Sequence, residues 1–156
     1  MKVCLIEPPK FISLTNFVST ISMPPIGLAY IAAAVREDGH DVSIVDGPGS
    51  APRNNYTFKN SVRVRGLTQD DIIKRISSDT QVIALGCMFT SHWVYVRELI
   101  CKIRKVYPQV FLLMGGEHAT GFPKFSLGEA PLDCVVMGEG EDTTRELLLA
   151  LANGQP

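Results

Sequence analysis

The chain has 156 residues, of which 46% are hydrophobic and 20% are charged, and its formal net charge at pH 7 is -1. This composition is typical of one globular domain, and the near-neutral charge gives no electrostatic basis for binding nucleic acid or an anionic membrane. No apolar run approaches the ~20 residues that cross a bilayer, and Glu7, Pro8 and Pro9 come too early for a signal peptide. We therefore expect a cytoplasmic protein.

Five short apolar runs follow one another along the chain, each rich in Val, Ile or Leu. Continuous apolar runs of this length are typical of parallel strands that are covered on both faces. The predicted strands are Val3–Ile6, Val42–Val45, Val82–Leu85, Val110–Met114 and Cys134–Met137.

Helical patterns separate these runs. The first helix is predicted from about Pro25 to Gly39, and the second follows Thr68, which forms an acidic variant of the capping box with Asp71. A third lies in SHWVYVRELICKIRKVYP and ends before Pro108, and the last lies in EDTTRELLLALANG. The connection FPKFSLGEAPL is expected to hold only a short helix.

This alternation predicts a three-layer, doubly wound α/β domain over residues 1–153, with a parallel five-stranded sheet in the flavodoxin-like or Rossmann-like order 2-1-3-4-5. Right-handed crossovers place the carboxyl ends of all strands at one edge, where ligands bind. Two connections at that edge are long, residues 8–24 and residues 47–66. The second contains YTFKNSVRVR, whose alternation predicts a small hairpin.

The four cysteines, Cys4, Cys87, Cys101 and Cys134, lack the spacing of a zinc, redox or iron–sulfur site. Three of them stand within apolar runs, where cysteine behaves as a small hydrophobic residue. We expect buried, unreactive thiols.

Two strand exits carry glycines, Gly115-Gly116 and Gly138-Glu139-Gly140-Glu141. Without side chains, backbone N–H groups can approach a large ligand closely, and the neighbouring glutamates can accept hydrogen bonds from hydroxyls and amides. The simpler alternative is that the glycines only turn the chain and that Glu141 favours the start of the last helix. The sequence has neither a Walker loop nor a G-x-G-x-x-G fingerprint, and no acidic cluster of a receiver domain.

Several segments together resemble the N-terminal domain of cobalamin-dependent radical SAM enzymes. They are Val3-Cys4-Leu5-Ile6-Glu7-Pro8-Pro9, Pro24-Pro25-Ile26-Gly27-Leu28-Ala29-Tyr30, Gly39-His40 with Asp46, Gly86-Cys87-Met88-Phe89-Thr90, Gly115-Gly116-Glu117-His118-Ala119-Thr120 and Gly138-Glu139-Gly140-Glu141. The resemblance covers nearly the entire chain.

The resemblance implies a Rossmann-like domain that holds base-off cobalamin at the carboxyl edge of its sheet. By matching motif, the cofactor contacts are Pro8, Pro9, Met88, Phe89, Thr90, Ser91, Trp93, Gly115, Gly116, Glu117, His118, Ala119, Thr120, Gly138, Glu139, Gly140 and Glu141. In this family a following domain binds S-adenosylmethionine and a [4Fe-4S] cluster through C-x-x-x-C-x-x-C, which this sequence lacks. We expect that catalytic domain after residue 156, in an enzyme that is a methyltransferase, and no catalysis by this module alone.

His118 stands in Gly116-Glu117-His118-Ala119-Thr120-Gly121, a partial match to the D-x-H-x-x-G motif of methionine-synthase-type cobalamin domains. The aspartate that orients the cobalt-binding imidazole is replaced by Gly116. We therefore expect no cobalt ligand here, and His118 either contacts the cofactor's tail or orders its loop. His92 also lacks an orienting carboxylate nearby, and Trp93 either covers the corrin or packs against the third helix.

Two other functions remain open from the sequence. A standalone flavodoxin-like module would bind flavin or another nucleotide, and a degenerate fold would serve only protein contacts. The substrate of the whole enzyme is not encoded in these residues.

Overall fold

The computed structural model describes residues 1–12, 23–59 and 62–154. Its main sheet has five parallel strands in the order β3-β1-β6-β7-β8, which confirms the predicted order 2-1-3-4-5. The strands are β1 (Lys2–Glu7), β3 (Asp41–Asp46), β6 (Val82–Gly86), β7 (Phe111–Gly115) and β8 (Cys134–Val135). The last strand is shorter than predicted, although the Val136 N–H still donates to the Met114 carbonyl at 2.9 Å.

Seven α-helices are described on and around the sheet. They are α1 (Ile26–Glu37), α2 (Gly47–Ser50), α3 (Gln69–Arg75), α4 (Trp93–Val106), α5 (Glu117–Gly121), α6 (Pro123–Glu129) and α7 (Glu141–Ala152). The segment FPKFSLGEAPL holds one short helix, α6, as predicted, and α5 precedes it in the same connection. A 3-10 turn, Thr90–His92, precedes α4.

The predicted helix ends are confirmed where a cap was identified. Helix α1 begins directly after Pro25, and Gly39 follows its end with φ +81°. The Thr68 hydroxyl oxygen accepts from the Asp71 N–H at 3.2 Å and donates to the Asp71 carboxylate at 2.6 Å.

Alternate residues of each strand pack into two separate cores, one on each face of the sheet. The domain therefore has three layers, with helices on both sides of the sheet. Leu5 and Ala84 pack on the side of α1 and α7, whereas Ile6 and Leu85 pack on the side of α3 and α4. Both faces are apolar, as the continuous runs predict for a covered parallel sheet.

A second, antiparallel sheet lies beside the main one and has the order β2-β5-β4. Strands β4 (Asn55–Phe58) and β5 (Val62–Arg65) form the predicted hairpin. Strand β2 (Lys10–Ile12), from the first long connection, pairs with β5 and was not predicted. Residues 13–22 of that connection lie outside the described residues.

Tyr95 of α4 anchors this small sheet. Its ring meets those of Phe11 and Phe58 with centroids 6.1 and 4.9 Å apart, and its hydroxyl lies 2.8 Å from that of Tyr56. The Tyr56 hydroxyl in turn donates to the Leu67 carbonyl at 2.9 Å. Strands from both long connections thereby form one layer over the α4 side of the domain.

The cysteines agree in part with the prediction. Cys4 and Cys87 are buried, but Cys101 and Cys134 are only half-buried, because they stand where a helix and a strand meet the surface. Among the described residues, no group of three or more His, Cys, Asp or Glu could hold a metal ion. No helix in the described part of the chain is long and apolar enough to cross a membrane.

We predict that Tyr95→Phe lowers the free energy of unfolding by about 1 kcal/mol, because one buried hydrogen bond is lost while the ring packing is kept. Urea unfolding measures this change. Tyr30→Phe is the matched control, since that ring is 64% exposed on α1. Equal stability of the two variants would contradict the anchoring role of Tyr95.

Candidate functional site

A cavity of about 460 Å³ opens at the carboxyl edge of the main sheet, on the side of α1 and α7. It falls at the point where strand order reverses, since β3 follows β1 on one side and β6 lies on the other. Open α/β sheets bind ligands at this point. The cavity also lies within the size range of small-molecule sites, roughly 300–1,000 Å³.

The floor of the cavity is apolar. Leu5, Ala84 and Leu113 come from neighbouring positions on β1, β6 and β7, and Val136 follows β8. The small side chain of Ala84 stands between two leucines, so the floor is lowest in the middle. Leu28 and Ile31 of α1 and Thr144 of α7 form the wall opposite the sheet.

At the rim nearest the strand ends, the side chain of Glu7 and two glycines lie side by side across three neighbouring strands. Glu7 ends β1 next to Gly86 of β6, and Gly86 is paired with Gly115 of β7. A Cβ at Gly86 would lie 3.2 Å from the Glu7 Oε2 atom, so the carboxylate lies against this glycine. The backbone of two strands is therefore exposed to the cavity at this level.

The exits of β6 and β7 are joined by backbone contacts. The Cys87 N–H donates to the Gly115 carbonyl at 2.8 Å, and the His118 N–H donates to the Cys87 carbonyl at 3.0 Å. Gly116 has φ +102°, and a Cβ there would lie 2.8 Å from the Cys87 carbonyl oxygen. Only glycine fits this position, because both the backbone angle and the space exclude a side chain.

Thr120 links the second pair of exits. Its hydroxyl accepts from the Gly138 N–H at 2.9 Å and lies 3.3 Å from the Gly116 carbonyl, to which it donates. A Cβ at Gly138 would meet nothing within 4 Å, so this turn borders open space.

The charged groups on the cavity wall are mostly acidic. Glu7, Glu117, Glu139 and Glu141 face one cation, Lys10, among the described lining residues. Burial raises the pKa of the Glu7 carboxyl, and Lys10 opposes this shift. Burial and the Glu7 carboxylate raise the pKa of the Cys87 thiol to about 12. This thiol is therefore neutral at pH 7 and offers no thiolate nucleophile or metal ligand.

The structure brings ten of the predicted site residues to this cavity. They are Met88, Phe89, Gly115, Gly116, Glu117, Thr120, Gly138, Glu139, Gly140 and Glu141. Their contact with a cofactor stays a prediction. Thr90 and Ser91 are exposed but lie outside the cavity wall, and their contact likewise stays a prediction.

Pro8, Pro9, Trp93, His118 and Ala119 are buried and lie outside the cavity wall, and their contact with a cofactor also stays a prediction. The prolines are covered by two close-packed glycines: a Cβ at Gly47 would lie 2.9 Å from the Pro9 nitrogen, and one at Gly66 would lie 2.8 Å from the Pro9 Cβ.

Trp93 and His118 pack against each other instead of facing a ligand. Trp93 is 5% exposed and His118 is 2% exposed, and their rings stack with centroids 4.8 Å apart. The indole Nε1 is buried and has no hydrogen-bond partner among the described residues. Of the roles considered for Trp93, packing is the one that this geometry supports.

His118 orders its loop. Its Nδ1 lies 3.2 Å from the Thr90 hydroxyl oxygen, and its Nε2 lies 3.4 Å from the Ser126 hydroxyl oxygen. Ser126 donates to the Phe122 carbonyl at 2.8 Å, so its oxygen is left to accept from Nε2–H. The imidazole thus ties the exit of β6 to α6, and burial lowers its pKa.

The lining residues that were not nominated from the sequence are Leu5, Glu7, Lys10, the segment from Met23 to Leu28, Ile31, Ala84, Leu85, Gly86, Cys87, Leu113, Val136 and Thr144. Glu7 carried a usable signal, since a carboxylate that ends an otherwise apolar strand is unusual. No such signal in the sequence marks the strand residues of the floor, because whether their side chains line a cavity depends on which face of the sheet is left open.

Comparison with known proteins gives a consistent family. A sequence model of the B12 binding domain family matches residues 15–148. The chain is 37% identical over 157 residues to an uncharacterized methyltransferase of Pyrococcus horikoshii, which covers 99% of this chain and 30% of that protein. It is 33% identical over 122 residues to the cytidylyl-2-hydroxyethylphosphonate methyltransferase of Streptomyces wedmorensis, covering 76% of this chain and 23% of that protein.

The same fold occurs in the cobalamin-dependent S-adenosylmethionine radical enzyme OxsB, whose structure has aqua-cobalamin bound. The TM-score is 0.72 at 17% identity, over 99% of this chain and 19% of that one. The chain spans less than a third of the length of each of these three proteins.

We predict that Gly116→Ala destabilises the protein by at least about 1–2 kcal/mol, the cost of a left-handed backbone for a residue with a Cβ, with the clash against Cys87 in addition. Urea unfolding measures the change. Gly128→Ala is the matched control, because a Cβ there meets nothing within 4 Å and α6 favours alanine over glycine. Equal effects of the two substitutions would contradict the close approach at Gly116.

We also predict a pH effect from His118. Because its pKa is lower in the folded chain, the unfolded chain binds a proton first as the pH falls through about 6.5. The free energy of unfolding then decreases below that pH. In His118→Phe this decrease between about pH 7.5 and pH 5 should be smaller, as measured by urea unfolding at each pH. An unchanged slope would exclude a buried neutral imidazole at this position.

Proposed function

The chain belongs to the B12 binding domain family, and from this premise we propose that its cavity holds base-off cobalamin for a cobalamin-dependent radical SAM methyltransferase. In this proposal residues 1–153 form the cobalamin module. The catalytic domain, which binds S-adenosylmethionine and a [4Fe-4S] cluster, follows it in the full-length protein. The methyltransferase names of two relatives, each much longer than this chain, support that assignment.

The observation that carries the proposal is the order of apolar, glycine and acidic residues from the floor of the cavity to its mouth. An apolar floor lies beneath a glycine edge, and carboxylates stand around the mouth. Cobalamin presents its parts in a matching order: a flat apolar benzimidazole, a ribose and phosphate linker, and a corrin ring with carboxamides at its periphery.

The floor suits the benzimidazole. In base-off cobalamin this ring does not coordinate cobalt and can enter a protein slot. Leu5, Ala84 and Leu113 would contact one face of the ring, and Leu28 and Ile31 would contact the other. A volume of about 460 Å³ is too small for the entire cofactor, so the corrin would lie over the strand ends at the mouth.

The glycine edge suits the linker and the corrin. At Gly27 and Gly138 a Cβ would meet nothing within 4 Å, so each leaves backbone open to a ligand. Backbone N–H groups of this kind bind phosphate and carbonyl oxygens. The carboxylates of Glu117, Glu139 and Glu141 would accept hydrogen bonds from carboxamides and hydroxyls.

The charge of the wall does not favour a flavin mononucleotide. That ligand ends in a phosphate dianion, and four glutamates face a single lysine on the described wall. Like charges in a partly enclosed site repel strongly. The charges on the wall therefore favour cobalamin over flavin mononucleotide.

Bound cobalamin would supply a methyl group carried on cobalt. The residues of this chain would bind and orient the cofactor and exclude water from its lower side. The described wall has no thiolate, and its carboxylates are placed to accept hydrogen bonds. Transfer of the methyl group to a carbon or phosphorus atom would be the task of the following domain.

The binding test uses the 156-residue chain mixed with hydroxocobalamin or with FMN and then desalted. We expect corrin absorbance to stay with the protein and flavin absorbance to be lost. Retention of flavin without corrin would contradict the proposal.

Ala84→Leu tests the place of binding. The added side-chain atoms fill the lowest part of the floor, and we expect cobalamin affinity to fall at least tenfold, about 1.4 kcal/mol. Titration followed by absorbance measures the affinity, and circular dichroism checks the fold. Ala33→Leu, on the exposed face of α1, is the control and should bind as the unsubstituted chain does. Unchanged affinity in Ala84→Leu would place the ligand elsewhere.

A further inference from the structure

Glu7 is a charged side chain on the cavity wall, and Lys10 is the cation that acts on it at longer range. Glu7 is half-buried, and among the described residues none donates a hydrogen bond to its carboxylate or lies within ion-pair distance. The nearest carboxylate, that of Asp46 on β3, is engaged differently, because it accepts from the Gly49 N–H at 2.8 Å. Glu7 therefore stands ready to accept hydrogen bonds from something in the cavity.

The position of the Glu7 carboxylate determines which part of a ligand can contact it. It lies against Gly86, with its Oε2 3.2 Å from where a Cβ would be, and Gly115 is the next residue across the sheet. Leu5, two residues earlier on the same face, belongs to the apolar floor. Glu7 is therefore at the mouth, beside two positions without side chains, where a broad ligand can lie over the strands.

The chemistry of the carboxylate further limits which ligand groups Glu7 can bind. A carboxylate accepts hydrogen bonds and donates none, so it recognises N–H and O–H groups and repels phosphates and carboxylates. Hydrogen bonds to a charged acceptor are about twice as strong as neutral ones. Of the parts of cobalamin, the carboxamides at the corrin periphery are the N–H donors that would lie at the mouth.

We propose that Glu7 recognises a carboxamide of the corrin ring through its carboxylate, and that it thereby sets the position of the corrin over Gly86 and Gly115. This inference rests on the proposed function. It assigns a role to a residue that was not among the cofactor contacts predicted from the sequence.

The half-buried Glu7 charge lowers the folding stability of the cofactor-free protein. Burial raises the pKa of the Glu7 carboxyl, which means that the ionised form is disfavoured in the folded state relative to the unfolded state. Above that pKa the charge destabilises the empty domain, and the effect vanishes at pH values below the unfolded pKa, about 4.3. Removing the charge should therefore stabilise the empty domain while it weakens binding.

The test compares the unsubstituted chain with Glu7→Gln, using cobalamin and cobinamide, which keeps the corrin carboxamides but lacks the nucleotide. We expect Glu7→Gln to weaken both ligands by a similar factor, roughly tenfold or more, as for loss of a charge-assisted hydrogen bond. Its melting temperature without ligand should be equal to or higher than that of the unsubstituted chain. Glu37→Gln is the control, because that exposed glutamate ends α1 far from the cavity mouth.

A pH series adds a second readout. For each ligand, the dissociation constant of Glu7→Gln divided by that of the unsubstituted chain should approach one as the pH falls through the raised pKa of Glu7. The groups that face Glu7 are Lys10, Asp46 on β3, the Cys87 thiol after β6 and Glu117 on the cavity wall. They are present in both proteins, so the ratio isolates Glu7.

The outcomes separate the two proposals. If the unsubstituted chain binds neither corrinoid, the proposed function fails and the role of Glu7 fails with it. If it binds both and Glu7→Gln binds equally well, only the role of Glu7 is overturned. A loss confined to cobalamin would assign Glu7 to the nucleotide tail and also overturn the corrin contact. A lower melting temperature of the empty variant would mean that Glu7 is structural.

Discussion

The close approach of Gly116 to the backbone of Cys87 is the constraint on which the ligand edge of this domain depends. It holds the exit of β7 against the exit of β6 by two backbone hydrogen bonds. Helix α5 starts from this point, which directs Glu117 and Thr120 towards the cavity and His118 and Ala119 into the core. Thr120 then fixes the turn at Gly138. One position without a side chain thus determines the course of three neighbouring strand exits.

The two faces of the main sheet are used differently. On the side of α3 and α4, strands β2, β4 and β5 form the small sheet and close the core around Tyr95. On the side of α1 and α7, the floor residues are part of the core and also line the cavity. Because strand residues alternate between these faces, Leu5 and Glu7 belong to the ligand side, whereas Ile6 belongs to the closed core.

The sequence predicted the main sheet well because its evidence is local: apolar runs, caps and stop residues are each read within a few positions. Strand β2 was missed because Lys10–Ile12 pairs with residues more than fifty positions later, and nothing near it indicates a strand. The strand-exit motifs predicted ten residues of the cavity wall, but not the strand residues that form its floor. The packing of His118 could not be predicted, because its partners Trp93 and Ser126 come from other elements and meet it only in the fold.

The apolar floor also has a consequence for the lifetime of the protein. A ligand that binds only the folded state raises its stability by RT ln(1 + [L]/Kd), which is about 2.7 kcal/mol at a hundredfold excess over Kd. Proteases that act on the unfolded state then have less of it to degrade. Because the pocket is part of the core on the α1 and α7 side, the abundance of the folded chain would follow the supply of a ligand that fills it.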